Sequence, residues 1–160
     1  MNPDQKVEEL NLILPGTLEL PPDTRLPFSW VRVRGNRAFI SRHCALNADG
    51  SLYGLIGKVG ADLSIEQGYQ AARHTALAML GSLKRELGTM DRITAWLRVF
   101  GMVNVAPGFV QTPSVINGFS GLIIEIFGEE RGDHTRSAVG LAELPFNVPV
   151  KIEAEVEITP

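Results

Sequence analysis

Hydrophobic and polar positions follow two different periods along this chain, and each period predicts a different kind of element. Residues 30–34 and 37–41 are extended runs separated by Gly35 and Asn36, which accept positive φ, so this segment predicts a β-hairpin. From residue 64 to 88 apolar side chains recur at three- and four-residue spacing, which predicts a long amphipathic helix. Ser64 and Gln67 form a capping box at its start, and Gly88 ends it.

The remaining patterns complete an α+β arrangement. Residues 93–103 are apolar on both faces, which predicts a central strand, whereas residues 52–58 predict a short third strand. Residues 115–127 predict a second helix in which Gly118 and Gly121 let another backbone come close. Residues 137–142 and 150–158 predict the last two strands. This order predicts a mixed β-sheet with two helices packed on one face.

The chain divides into an N-terminal appendage and one domain. Prolines at positions 3, 15, 21 and 22 interrupt residues 1–26, where only a short helix at residues 5–12 is expected, with Leu10 available for docking. Residues 27–160 contain no repeat and no linker that would divide them, so they are expected to form one domain.

Composition excludes several classes of partner and ligand. The net charge is only -3 and 21% of the 160 residues are charged, so no basic surface for nucleic acid is expected. A single cysteine, Cys44, and an N-terminus without a secretory pattern predict a cytoplasmic protein. No apolar run is long enough for a membrane span, and the three histidines share no metal-ligand spacing with Asp or Glu.

The face of the sheet opposite the two helices is expected to carry an apolar patch. The strands would place there five large apolar side chains: Phe39, Trp96, Val99, Val139 and Leu141. A soluble domain of this size should cover such a patch, so self-association is expected.

Arg136 is the strongest candidate for ligand chemistry. It begins the apolar strand at residues 137–142, and its planar guanidinium matches both oxygens of a small carboxylate. The alternative for Arg136 is an ion pair with Glu125 or Glu153.

Several segments together carry a resemblance to a known family. The pattern Arg-Ser-x-Val-x-x-x-x-Leu-Pro at residues 136–145 and Val-x-Ile-Glu-Ala at residues 150–154 resemble the end of the YjgF/Rid family, the reactive intermediate deaminases, also called L-PSP endoribonucleases. Residues 57–60, 68–73 and 115–118 are similar to further family segments. The resemblance spans residues 28–158 and indicates a longer branch, with additional residues before Phe28 and around residues 128–133.

The resemblance implies a fold, an assembly and an activity. It implies the chorismate mutase-like fold, a homotrimer with ligand sites in clefts between subunits, and cofactor-independent hydrolysis of 2-imino or 2-enamino acids to 2-oxo acids and ammonia. Arg136 would hold the substrate carboxylate, and backbone amides near Ala138 or Gly57 would orient it. Asn117, Ser41 and His134 are the further ligand-binding candidates, although Asn117 has the alternative role of a helix cap.

The sequence departs from the family pattern at the water-activating position. Counted without gaps from Leu144 and Pro145, the family's glutamate falls on Lys151, and Glu153 matches the next acidic position on the same strand face. Either Lys151 has a lowered pKa, or Glu153 activates the water, or hydrolysis is weak. A trimer that binds small carboxylates without catalysis is therefore the alternative function. Ribonuclease activity is the least favoured, because the chain is acidic and lacks a suitable histidine pair.

Overall fold

A computed structural model describes all residues from 1 to 160 and contains one five-stranded sheet with three helices. The sheet order is β1-β2-β5-β3-β4, and every neighbouring pair is antiparallel except β3 and β4. The strands are β1 (Val31–Arg34), β2 (Arg37–His43), β3 (Ile93–Asn104), β4 (Thr135–Leu141) and β5 (Val150–Ile158). The helices are α1 (Pro3–Glu9), α2 (Ile65–Leu87) and α3 (Thr112–Gly132). The predicted α+β class and mixed sheet are confirmed.

Helices α2 and α3 pack side by side on one face of the sheet. Both hydrogen bonds of the predicted capping box at Ser64 and Gln67 are present. Gly118 lies against the backbone of α2, where an added Cβ would be 2.1 Å from the carbonyl oxygen of Tyr69. The predicted close approach at Gly118 is therefore confirmed, and a side chain there would force the helices apart. Helix α3 continues five residues beyond the predicted end, across a kink at Gly128.

The predicted apolar patch on the open face is wrong for two of its five residues. Trp96 is 2% exposed and packs edge-on against Phe119 and Phe127 of α3, and Val99 is fully buried in the same core. A bulge between residues 96 and 98 breaks the alternation of side chains along β3. Trp96 and Val99, which are three residues apart, therefore both face the helices. Phe39 is 44% exposed on the open face, where Val139 and Leu141 are half-buried.

The predicted strand at residues 52–58 is also wrong. This segment contains turns and a single bridge between Leu46 and Leu52. Gly57 has φ 126°, and a Cβ there would collide with Asp62. A residue with this backbone conformation cannot continue a strand, so the chain turns instead.

The N-terminal segment docks on the domain. Helix α1 begins two residues earlier than predicted, is capped by Asn2, and buries Val7 in the main core. The Asp4 carboxylate accepts hydrogen bonds from the Thr89 hydroxyl (2.6 Å) and the Met90 amide (3.0 Å). Val7 is buried more deeply than Leu10, the residue that the sequence pointed to. None of the three helices is both long and apolar enough to cross a membrane.

Candidate functional site

Arg136 lies on the edge strand β4 and points toward the helices. It is in register with Val99 of β3, whose side chain is buried under α3. The Arg136 Nη1 atom donates to Oδ1 of Asn117 at 2.8 Å and to Oγ of Ser120 at 3.2 Å. Asn117 therefore lies inside α3 and positions the arginine rather than capping the helix.

The Arg136 guanidinium has no acidic partner. None of the six ion pairs in the protein includes it. Glu125 pairs with Arg73 at 3.6 Å, and Glu153 lies on the opposite face of the sheet, so neither predicted counterion is present. Burial lowers the pKa of Arg136 from its ordinary value, but the group remains a cation at neutral pH. A half-buried cation without a counterion is suited to binding an external anion.

His134 supports this arrangement through Ser120. The Nδ1 atom of His134 lies 2.6 Å from the Gly132 carbonyl oxygen, which can only accept, so this nitrogen carries a proton. With the proton on Nδ1, Nε2 can accept a hydrogen bond from the Ser120 hydroxyl, 2.9 Å away, while Ser120 Oγ accepts one from Arg136. Sequence reasoning missed Ser120, although its position three residues after Asn117 on one helix could have indicated it.

Lys151 and Glu153 share a face of β5, as predicted, but this is not the face of Arg136. Glu153 is in register with Phe100, and Lys151 with Met102, whereas Ala154 is in register with Val99. Because Arg136 is in register with Val99, its side chain lies on the helix side of the sheet. The structure of the single chain therefore does not bring the predicted anchor and the predicted water-activating residues together.

Glu153 and Ser41 instead line an open groove of about 590 Å³ on the exposed face of the sheet. The Ser41 hydroxyl donates to the carbonyl oxygen of Ser29 at 2.7 Å. Glu155 beside it pairs with Arg37 at 2.7 Å, whereas Glu153 belongs to no ion pair. The other side chains around the groove include two aromatic rings and an arginine that belongs to no ion pair: Phe28, Phe39 and Arg98.

One of the two backbone positions predicted to contact ligand is already engaged. The Gly57 amide donates to the carbonyl oxygen of Asn147 at 2.8 Å, so it cannot orient a carboxylate. Ala138 shares the face of Arg136, and its carbonyl oxygen accepts from the Thr112 hydroxyl at 2.9 Å. No group of three or more His, Cys, Asp or Glu side chains is arranged to hold a metal ion.

Comparison with known proteins identifies the family. Residues 31–154 match the family described as "YjgF/chorismate mutase-like, putative endoribonuclease". The chain belongs to the YjgF family. Protein TCP17 of Trypanosoma cruzi is 40% identical over 104 residues, which span 65% of this chain and 65% of that protein.

Two solved structures resemble the whole chain. Atu1372 of Agrobacterium tumefaciens, described as a protein of unknown function, is 32% identical, with a TM-score of 0.85 over 98% of this chain and 91% of that one. A protein of Shewanella oneidensis, described as a "putative endoribonuclease", is 25% identical, with a TM-score of 0.86 over 99% of this chain and all of that one. Both matches include the docked N-terminal segment, because they cover nearly every residue.

Proposed function

We propose that this YjgF protein binds small 2-imino or 2-oxo carboxylates in a cleft between subunits of a homotrimer and hydrolyses the imine or enamine form to a 2-oxo acid and ammonia. The observation that carries the proposal is the Arg136 guanidinium, which is half-buried, oriented by Asn117 and Ser120, and without a counterion. Such a group binds a carboxylate through charge-assisted, paired hydrogen bonds.

The need for a second copy follows from the sheet. Arg136 and Glu153 lie on opposite faces of one protomer, so they can meet only if β4 of one copy contributes the arginine and the groove of another contributes the glutamate. Strand β4 is an edge strand, and Phe39 in the groove is 44% exposed. Both features favour burial against another copy.

The chemistry of the proposed site is a water addition followed by loss of an amine. Arg136 holds the carboxylate so that the adjacent C=N carbon is exposed to water. Glu153 of a neighbouring copy accepts a proton from the attacking water, whose oxygen bonds to that carbon. The electron pair of the C=N bond moves to nitrogen, which takes the proton back from Glu153. The new hydroxyl then gives its proton to the nitrogen as the C–N bond breaks, so ammonia leaves and the carbon keeps the oxygen as a 2-oxo acid. An enamine enters this sequence as its imine tautomer.

The first test measures ammonia release from freshly generated 2-aminoacrylate. Wild-type protein should accelerate release over buffer, and Arg136→Ala should lose most of that acceleration, because the carboxylate is no longer held. Arg34→Gln removes one exposed positive charge on β1 that belongs to no ion pair, and it should behave as wild type. A wild-type rate equal to buffer would eliminate the hydrolase proposal.

Binding of small carboxylates without catalysis is the second candidate, because no carboxylate lies beside Arg136 to activate water within one protomer. In this case 2-oxobutyrate would raise the Tm and Arg136→Ala would remove the shift, without ammonia release by either protein. Sedimentation of the wild type tests the assembly, since a monomer at assay concentration would contradict both candidates.

A further inference from the structure

One hydroxyl oxygen bridges the Arg136 guanidinium and the imidazole of His134. The Ser120 oxygen lies 3.2 Å from Nη1 of Arg136 and 2.9 Å from Nε2 of His134, so these two nitrogens are no more than about 6 Å apart. His134 immediately precedes β4 and is two residues from Arg136, a spacing that places both side chains on one side of the strand. Both residues are half-buried. The proposed carboxylate anchor therefore has a group that can gain a charge as a close neighbour.

The hydrogen bonds decide which nitrogen of His134 can gain or lose a proton. Nδ1 lies 2.6 Å from the Gly132 carbonyl oxygen, which can only accept, so Nδ1 carries a proton in both charge states of the ring. The exchangeable position is therefore Nε2, the nitrogen that faces Ser120.

The protonation of Nε2 changes what the Ser120 hydroxyl offers to an anion. Without a proton, Nε2 accepts the one hydroxyl hydrogen of Ser120, and the Ser120 oxygen presents only lone pairs to its remaining neighbours. With a proton, Nε2 donates to the Ser120 oxygen, whose two lone pairs then accept from His134 and Arg136. The hydroxyl hydrogen is released in that state and can point toward a bound anion.

The other charged groups near His134 do not neutralise its ring. None of the six ion pairs includes His134. The Asp133 carboxylate accepts from the backbone amide of His134 at 3.0 Å, and Arg131 at the end of α3 pairs with Asp91 at 3.2 Å. The remaining charged side chains on the adjoining parts of α3 and β3 are exposed: Glu129, Glu130 and Arg98. A charge on His134 therefore acts most directly on Arg136.

From this geometry we propose that His134 is a second, titratable cation of the Arg136 site, and that carboxylate binding there takes up a proton from solvent at Nε2 of His134. This inference rests on the proposed function. An imidazolium and a guanidinium about 6 Å apart repel each other, and a carboxylate bound to the guanidinium offsets that repulsion. Protonation and binding therefore favour each other, because such coupling is reciprocal. Histidine is the side chain that ordinarily changes charge between about pH 5 and 8, so carboxylate affinity should rise as pH falls through that range.

His134 is a positioning residue in this scheme, because it acts on the ligand through Ser120 and Arg136. The imine substrate and the 2-oxo acid product both carry the carboxylate that Arg136 would hold. The protonation of His134 should therefore change the Kd and the KM more than it changes kcat.

Calorimetry with 2-oxobutyrate tests the proposal directly. Titrations at about pH 8 and about pH 6, each in two buffers of different ionisation enthalpy, report both the Kd and the number of protons taken up. 2-Oxobutyrate stays ionised throughout this range, so any proton taken up goes to the protein. Wild type should bind at least threefold more tightly at the lower pH, with an uptake of up to about one proton per site.

The variants assign the proton to one ring. His134→Gln and His134→Asn do not titrate, so each should bind with a Kd that is independent of pH and with no proton uptake. His74→Gln is the matched control, because Nδ1 of His74 also contacts a backbone carbonyl oxygen, that of Gln70 at 2.9 Å, but on α2. This control should retain the pH dependence of wild type.

The outcomes separate this inference from the proposed function. A wild-type Kd that is equal at both pH values, or proton uptake that persists in both His134 variants, would overturn the inference and leave carboxylate binding intact. No binding by wild type at either pH would overturn the proposed function and this inference together. Circular dichroism and sedimentation at both pH values identify a variant that is unfolded or differently assembled. NMR of the histidine rings gives an answer without substitution, since a wild-type protein in which 2-oxobutyrate protonates no ring would also overturn the inference.

Discussion

Replacing Asn117 by aspartate should give Arg136 the counterion that it lacks. The Asn117 Oδ1 atom already lies 2.8 Å from Nη1 of Arg136, so Asn117→Asp places a carboxylate in contact with the guanidinium and needs no rearrangement. The change is nearly isosteric and adds one negative charge. The internal carboxylate would then compete with the substrate carboxylate for the same cation.

The magnitude follows from this contact and from the partial burial of Arg136. Two unit charges about 4 Å apart interact by about 1 kcal/mol in water and about 4 kcal/mol near a protein surface. A substrate should therefore lose on the order of 1–2 kcal/mol of attraction, which weakens carboxylate binding about 5- to 30-fold. The free energy of unfolding should rise by about 1 kcal/mol or less, because the new pair is partly solvated.

Two measurements test the Asn117→Asp variant. Calorimetry with 2-oxobutyrate should show a higher Kd, and the ammonia-release assay should show a higher KM. Gln5→Glu on α1 makes the same amide-to-carboxylate change at an exposed position and should leave both values unchanged. Carboxylate binding by Asn117→Asp as tight as that of wild type would refute the assignment of Arg136 as the anchor.

Three further predictions concern the packing and titration of the fold. Gly118→Ala should lower the free energy of unfolding in urea by about 1–3 kcal/mol, because its Cβ would lie 2.1 Å from the Tyr69 carbonyl oxygen. Gly121→Ala, whose nearest neighbour is the Tyr69 hydroxyl at 3.7 Å, should instead raise it by up to about 1 kcal/mol, and equal effects would contradict the close helix contact. The pKa of His43 is lowered from 6.5 to about 4 by burial. The contribution of the neutral ring to the free energy of unfolding is therefore complete above pH 6.5 and is lost as pH falls toward 4, and the total loss should be roughly 2–4 kcal/mol. An NMR titration in which the His43 ring protonates near 6.5 would contradict this burial. Asp4→Asn should lower the Tm and expose residues 1–12 to protease, and unchanged proteolysis would show that the Asp4 contacts do not hold the segment.

The pattern of hydrophobic and polar residues predicted most of the elements because each element has a strong local signal. The capping box and three- and four-residue spacing of α2 appear at the predicted positions, and Gly35–Asn36 form the predicted hairpin turn. The wrong predictions have local structural causes that hydrophobic periodicity does not reveal. A bulge in β3 turned Trp96 and Val99 inward, and the positive φ of Gly57 replaced a predicted strand with a turn.

The candidate site was only partly predictable for a different reason. The motif around Arg136 identified the residue, but its contacts with Asn117 and Ser120 depend on how α3 packs across β4. The same alternation that correctly placed Lys151 and Glu153 on one face could not show that Arg136 faces the other way. That relation depends on the registers of three strands, which are separated in the sequence by a helix and a turn.

The sequence by itself therefore determined the α+β class, the order of the main helices and strands, and the cation at the start of β4, since these depend on residue type and spacing along the chain. Only the tertiary structure decided which charged groups meet. It left Arg136 without a counterion, separated it from Glu153, and connected it through Ser120 to His134. The physical reason is that the free energy of a charge depends on its burial and its neighbours in space, which strand register and helix packing set.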